Sequence, residues 1–346
     1  MEINKYISNK SDFLLYFIPG LFAIISVSIT NPPLAYEDLY RFYAYYNYFK
    51  DFSVNDFFTF IKRLPDFLIP IYLYICSKLG IPVNILLAFI TYITVFIILK
   101  LSFLILGEGK KKVFSYLFLL SAISFSGLLS GVRNLHSIAF MYLAIYLYLE
   151  NKKIRGLGSY LVSVFTHFSS WMYVVLFVFL KFKMKWVYVV WIISFIGLLF
   201  PLILFPYLKD EIEYSSIPII GKIQHYAFVK DYYYTLTRKD SKIIFASFLK
   251  FSWYIFMLAF LFFKYKKNNG SIWVKILFIV SIMMNMFFIQ LTVFERISLF
   301  AKILFVVCLL GDRVVPYKIK RWTLAYFLFL FVIQISLYMK GLLFLK

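Results

Sequence analysis

The chain alternates long apolar runs with short polar seams, and the lengths of the runs decide what kind of protein it is. Apolar stretches cover residues 13–30, 83–106, 113–129, 136–149, 157–180, 186–205, 243–263, 272–290, 297–310 and 322–338. Many approach the roughly 20 residues that span the hydrocarbon core of a bilayer. No ten-residue segments of alternating polarity occur, which argues against an outer-membrane barrel. The pattern predicts an all-α, polytopic helical integral membrane protein with about nine full crossings, or about nine to eleven helices when re-entrant and membrane-dipping pieces are counted. Residues 1–346 read as one polytopic domain.

Three stretches depart from plain crossing. After Asn31-Pro32-Pro33 stops the first helix, residues 31–66 are acidic and dense in Tyr and Phe, which suits an amphipathic segment at the outer interface. Residues 67–79, bracketed by Pro65, Pro70 and Pro82, are too short to span and predict a helix that dips into the membrane and returns to the outer face. Residues 206–241 form the longest polar stretch and predict a long periplasmic loop, whose Lys209, Lys222, Lys230, Arg238 and Lys239 break the charge rule.

The other basic seams, GEGKKK, ENKKIRG, KFKMK, KYKKNNG and DRVVPYKIKR, mark the cytoplasmic side. They set up one conflict. ENKKIRG and KFKMK both read as cytoplasmic, yet a single apolar run, 157–180, separates them. Two half-segments meeting near His167 resolve it. Irregular backbone at that depth is tolerated where protein or water surrounds it.

Composition agrees. The 346 residues are 63% hydrophobic and 15% charged, against about 45–50% and a quarter in soluble domains; the mean hydropathy is +0.83. A net charge of +21 would suggest nucleic acid in a soluble chain. Here the basic seams account for it, and no nucleic-acid motif is present. Cys76 and Cys308 stand singly in apolar runs, without disulfide or metal spacing. The first run is too long for a secretory signal and reads as a retained helix. P-loop, GxSxG, HExxH and Rossmann signatures are absent, Glu211 and Glu213 read as a solvated loop, and neither cofactor nor metal is implied.

Candidate chemistry lies where polar side chains interrupt apolar runs, since a central arginine costs about 2.5–3.5 kcal/mol on insertion scales and such residues face protein or water. SGVRNLHSIA carries Arg133, Asn134 and His136; Arg133, His136 and Ser137 share one helix face. A guanidinium suits phosphate oxygens, against the bland reading of a snorkelling boundary residue. FTHFSS carries His167 with Thr166, Ser169 and Ser170, and histidine can donate, accept or take a proton. FERISLF carries Glu295 and Arg296, an interfacial ion pair or a second phosphate or sugar ligand. Glu37, Asp38 and Arg41 cluster in the tyrosine-rich segment, where a carboxylate could accept a hydroxyl proton or hold a sugar; an aromatic belt is the rival reading there.

In order, YEDLYRFYAYY, SGVRNLHSIA, FTHFSS and ERISLF resemble the EpsG-type branch of bacterial Wzy polysaccharide polymerases, over residues 35–300. The family often has Gln where this chain has Asn134. The resemblance implies a GT-C-like, metal-independent glycosyltransferase of the inner membrane, acting at the periplasmic face. It would join undecaprenyl-pyrophosphate-linked repeat units of O-antigen, capsule or exopolysaccharide. Arg133 and Arg296 would hold the pyrophosphate, and His167 would orient or deprotonate the acceptor hydroxyl, with Asp38 the rival base. Glu37, Arg41, Asn134, His136 and Glu295 would contact substrate. Partners are the lipid-linked donor and acceptor, membrane lipid and a candidate chain-length regulator. A flippase or exporter of lipid-linked sugars, an O-antigen ligase and a membrane acyltransferase are the competing readings.

Overall fold

A computed structural model describes residues 10–28, 38–107, 113–123, 132–197, 241–267, 270–286 and 291–344. Among them are fourteen α-helices and one 3-10 helix, and no strand. Contacts divide the chain into two compact units, Met1–Ser170 with Phe331–Lys346, and Trp171–Leu330.

The first unit begins with α1 (Lys10–Val27), α2 (Asp38–Phe49), α3 (Val54–Ile61), α4 (Leu68–Leu79) and α5 (Val83–Leu106). Helix α5 is long and apolar enough to cross a membrane. Its packed side carries Leu86 and Ile90, and its exposed side is apolar too, with Phe89 62% exposed. A helix apolar all round belongs in a greasy surrounding rather than in water. The tyrosine-rich segment is amphipathic: α2 buries Leu39, Phe42, Tyr46 and Phe49 and exposes Tyr40 and Tyr48. Those buried residues join Phe57 of α3, Leu73 of α4 and Leu86 of α5 in one apolar cluster. Helix α3 starts on a capping box, in which the Ser53 hydroxyl accepts the Asp56 N–H and the Asp56 carboxylate accepts the Ser53 N–H.

Several contacts gather at the Val83 end of α5. Asn84 donates to the Val27 carbonyl at 3.0 Å and accepts from the Tyr43 hydroxyl. Helix α4 ends nearby at Gly80, whose φ of 66° gives the left-handed turn that stops it. Its 12 residues extend about 18 Å, so the chain enters α4 well down the bundle.

Helices α6 (Val113–Ala122), α7 (Val132–Leu149) and α8 (Lys153–Thr166) follow. A tight turn joins α7 to α8. Asn151 takes a φ of 59°, and the Lys152 N–H reaches the Leu147 carbonyl at 2.9 Å, the hydrogen bond of a Schellman cap. Gly156 lets the two helices close: a Cβ there would stand 3.1 Å from the Ala144 carbonyl oxygen. Further along, the Ser163 hydroxyl donates to the Ser137 carbonyl at 2.7 Å. The pairs 156 with 144 and 163 with 137 both sum to 300, the mark of an antiparallel register, and continuing it sets His167 level with Arg133.

The helix breaks where the charge pattern places the break. Thr166 ends α8, His167 is extended at φ −149° and ψ 114°, and a 3-10 helix, Phe168–Tyr173, follows. Ser170 beyond the break bonds the Ser137 hydroxyl at 2.7 Å. Ser163 and Ser170 thus both reach Ser137, so the chain has turned back on itself at His167.

The second unit contains α9 (Val174–Phe179), α10 (Met184–Gly197), α11 (Ser241–Lys267), α12 (Ile272–Met286), α13 (Leu291–Gly311) and the Tyr317–Leu330 part of α14 (Tyr317–Phe344). A polar knot ties three of these helices. The Tyr254 hydroxyl donates to Asn285, Asn285 donates to Ser194 at 2.7 Å, and Trp191 donates to Ser281 at 3.0 Å. Polar side chains hold apolar helices together in this way where water is scarce. At one end of the unit, Lys264 pairs with Asp312. Burial alone would raise the Asp312 carboxyl; the Lys264 ammonium and the N–H groups of Val314 and Val315 outweigh it and hold the group below the ordinary carboxylate value. Lys320 donates to the carbonyls of Leu310 and Asp312 there. Lys275 donates to the Leu180 and Phe182 carbonyls at 2.8 and 2.5 Å, which draws the KFKMK seam to the start of α12.

The predicted long loop, 206–241, lies outside the described residues except for Ser241, which opens α11. Residues 287–290 lie outside them too, and Arg296 stands inside α13 rather than ahead of it.

Candidate functional site

Arg133 stands in the first turn of α7, and its Nη1 donates to the Asp66 carboxylate at 2.5 Å. The Asp66 side chain is 3% exposed and the Arg133 side chain 17%. Asp66 comes from the short turn ahead of α4, and Pro65 immediately precedes it. Beside the pair, Phe67 and Phe165 bring their rings to 4.7 Å, which holds α8 against the start of α4. Burying two charges is costly, and the mutual attraction offsets that cost only where the geometry is good. A half-buried guanidinium paired with a buried carboxylate is not a snorkelling residue.

The depth of this pair follows from α5. His136, three residues after Arg133, contacts the Thr94 hydroxyl through Nδ1 at 2.7 Å. Thr94 stands about 16 Å along α5 from Val83 at the helical rise, close to the middle of that helix. Thr94 also bonds the Ile90 carbonyl at 2.7 Å. A carbonyl only accepts, so the threonine proton goes there and His136 Nδ1 donates to the threonine oxygen. His136 is 2% exposed and ties α7 to α5.

His167 has the opposite arrangement. Its Nδ1 lies 3.2 Å from the Ser169 backbone nitrogen and 3.0 Å from the Ser169 hydroxyl. A backbone N–H can only donate, so Nδ1 accepts and the neutral ring carries its proton on Nε2. The side chain is buried, and the ring presents a donor. Asn134, next to Arg133, has its Oδ1 buried without a hydrogen-bond partner among the described residues.

Of the residues singled out by the sequence, Arg133, Asn134, His136 and His167 therefore fall together in the first unit. Arg41 is exposed on α2. Glu37 lies outside the described residues, and so do the side chains of Asp38, which heads α2, and Glu295, in α13.

Arg296 belongs to the second unit. It shares its face of α13 with Phe300, one turn on, and the Phe300 ring meets the Tyr173 ring edge-on at 5.5 Å. The Arg296 guanidinium acts electrostatically on the Tyr173 hydroxyl, which is buried and has no hydrogen-bond partner among the described residues. Leaving such a group unsatisfied costs about 1–3 kcal/mol. Six residues beyond Arg296, Lys302 is also buried, with its ammonium 5.2 Å from the centre of the Trp253 ring.

Asp66, Tyr173 and Lys302 were not apparent in the sequence. Asp66 reads there as one more acid of an interfacial segment, and Tyr173 is one of 29 tyrosines. Lys302, a lone cation inside an apolar run, carried the one usable signal.

The described residues are all-helical with lipid-compatible apolar faces, and they set a half-buried arginine and a buried imidazole among their helices, an arrangement that suits a membrane protein. The chain belongs to the EpsG family, whose model matches residues 13–345. Membership places it in polysaccharide biosynthesis, among glycosyltransferase-like polymerases. No curated protein and no solved structure matches the chain.

Proposed function

We propose that the protein is a polytopic, GT-C-like polysaccharide polymerase of the bacterial inner membrane. It would join undecaprenyl-pyrophosphate-linked oligosaccharide repeats, as in O-antigen, capsule or exopolysaccharide synthesis, at the periplasmic face. The carrying observation is the half-buried Arg133, paired with the buried Asp66 and level with the imidazole at the broken helix. The family match gives that site its class of chemistry. By the charge rule the Val83 end of α5 faces the periplasm, which sets Arg133 in the outer half of the bilayer.

The acceptor sugar hydroxyl attacks the anomeric carbon of the donor. The new C–O bond forms as the bond to pyrophosphate breaks, and undecaprenyl pyrophosphate departs with the electron pair. Negative charge grows on the leaving oxygen, so preorganised cations lower the barrier. Arg133 is assigned to that charge, Arg296 keeps from the sequence reading the role of a pyrophosphate ligand, and no metal step is invoked because pyrophosphate is already a good leaving group. Nε2–H of His167 donates to a substrate oxygen. The hydroxyl proton passes to a carboxylate; Asp66 is the one beside Arg133, and Asp38 remains the alternative from the sequence. Asn134, Glu37, Arg41 and Glu295 are assigned to sugar contacts, whereas His136 is assigned to packing.

The test is elongation by the purified full-length protein in nanodiscs supplied with lipid-linked repeats alone. Longer lipid-linked glycans are expected, and Arg133→Ala abolishes them at normal expression. A wild-type protein that moves the lipid-linked repeat across a bilayer without lengthening it is an exporter, and the reading fails.

A further inference from the structure

We infer that Ser137 and Ser170 form a positioning pair: the hydrogen bond between their hydroxyls fixes the His167 imidazole against the Arg133 guanidinium, and elongation depends on that placement. The inference rests on the polymerase reading for the reaction it serves, and on geometry alone for the link.

A buried helix serine can satisfy its hydroxyl on its own helix, at the carbonyl three or four residues back. Ser77, Ser121 and Ser194 do so, at 2.7, 2.7 and 2.6 Å. Ser137 and Ser163 reach elsewhere. The Ser137 hydroxyl leaves α7 and meets the Ser170 hydroxyl at 2.7 Å. The Ser163 hydroxyl leaves α8 and donates to the Ser137 carbonyl at 2.7 Å. All three serines are buried. His167 stands between the two that reach Ser137, and its backbone is bonded to both. Its N–H donates to the Ser163 carbonyl at 3.0 Å, and its carbonyl accepts the Ser170 N–H at 2.9 Å. Arg133 stands one turn before Ser137 on the same face of α7. One helical turn therefore separates the guanidinium residue from the serine pair, and one tight turn separates the imidazole residue from it. The Ser163 bond places the end of α8. The Ser137–Ser170 bond places the chain beyond the break, where the Ser169 N–H orients the ring. Misplacing a reacting group by about 1 Å can cost on the order of a hundredfold in rate.

The experiment compares wild type with Ser137→Ala, Ser170→Ala and the double variant, all full length in zwitterionic nanodiscs. Melting temperature, elongation kinetics and the nitrogen resonances of ring-15N histidine are read for each; the His167 signals are those missing from His167→Gln. Either single variant strands one buried hydroxyl and lowers the melting temperature, whereas the double variant removes both and melts close to wild type. All three variants are expected to lose kcat by about tenfold to a hundredfold with KM held within about twofold, since no substrate contact is touched. The losses do not add, because the same bond is broken in each, and the His167 resonances move in all three. Elongation that merely follows the melting temperature, so that the double variant works like wild type, overturns the inference. A rise in KM at unchanged kcat overturns it too, as do unmoved His167 resonances. If the resonances move in the double variant at wild-type stability but wild type itself lengthens no glycan, the link stands and the polymerase reading falls. If wild type elongates and the double variant matches it, the link falls and the polymerase reading stands.

Discussion

At His167 one backbone hydrogen bond decides the chemistry. The Ser169 N–H occupies Nδ1, so the ring offers a proton from Nε2 and cannot accept one there while neutral. A glutamine side chain reproduces that donor, and a phenylalanine does not. His167→Gln is therefore expected to retain measurable elongation, at least tenfold above His167→Phe; a general base would be lost equally in both. Initial rates of the two variants, matched for expression, decide between the roles. The sequence marks His167 as polar in an apolar run but not which nitrogen is committed, because that depends on the 3-10 turn. Asp66 was hidden for a related reason. Its partner stands 67 residues away, and acids near an interface are ordinary.

Among the elements, α7 and α8 form the frame of the site. Their approach depends on Gly156, where an added Cβ meets backbone atoms of Ala144 and Tyr148 at 3.1 and 3.3 Å. Backbone cannot rotate away as a side chain can. Gly156→Leu is expected to destabilise the protein by about 1–3 kcal/mol and to impair elongation by moving the break at His167. Gly158, two residues on, has nothing within 4 Å; Gly158→Ala gains about 0.5–1 kcal/mol through helix propensity. Melting curves of the two variants in one detergent check both signs, and a neutral Gly156→Leu would show that the helices do not need this contact. Helix α5 and the break near His167 were legible in advance, the first from run length and the second from basic seams on both sides of one apolar run. The register between α7 and α8 was not, since small residues at 156 and 158 look alike until the neighbouring helix is present.

Across the second unit, three connections share one end. Lys275 binds the carbonyls of Leu180 and Phe182, and Lys264 pairs with Asp312 in the turn after α13. The seams KFKMK, KYKKNNG and DRVVPYKIKR are therefore drawn to one end of this unit, which the charge rule predicts to face the cytoplasm. Cysteines introduced singly at Lys183, Lys267 and Arg313, on a background with Cys76 and Cys308 replaced by Ala, should react with an impermeant maleimide only in inverted vesicles. Labelling of any one in intact cells would overturn this sidedness. Such a result would also remove the reason for turning the chain back at His167.

Run length, charge and the rarity of polar groups in apolar segments marked the chain as a helical membrane protein, placed its break, and singled out Arg133 and His167. These are local properties, because the bilayer acts on each segment separately and penalises each misplaced charge on its own. The partner of Arg133, the proton position on His167 and the unsatisfied hydroxyl of Tyr173 were decided by tertiary structure alone. Each depends on which groups, distant along the chain or folded back upon it, come within about 3 Å to form or withhold a hydrogen bond.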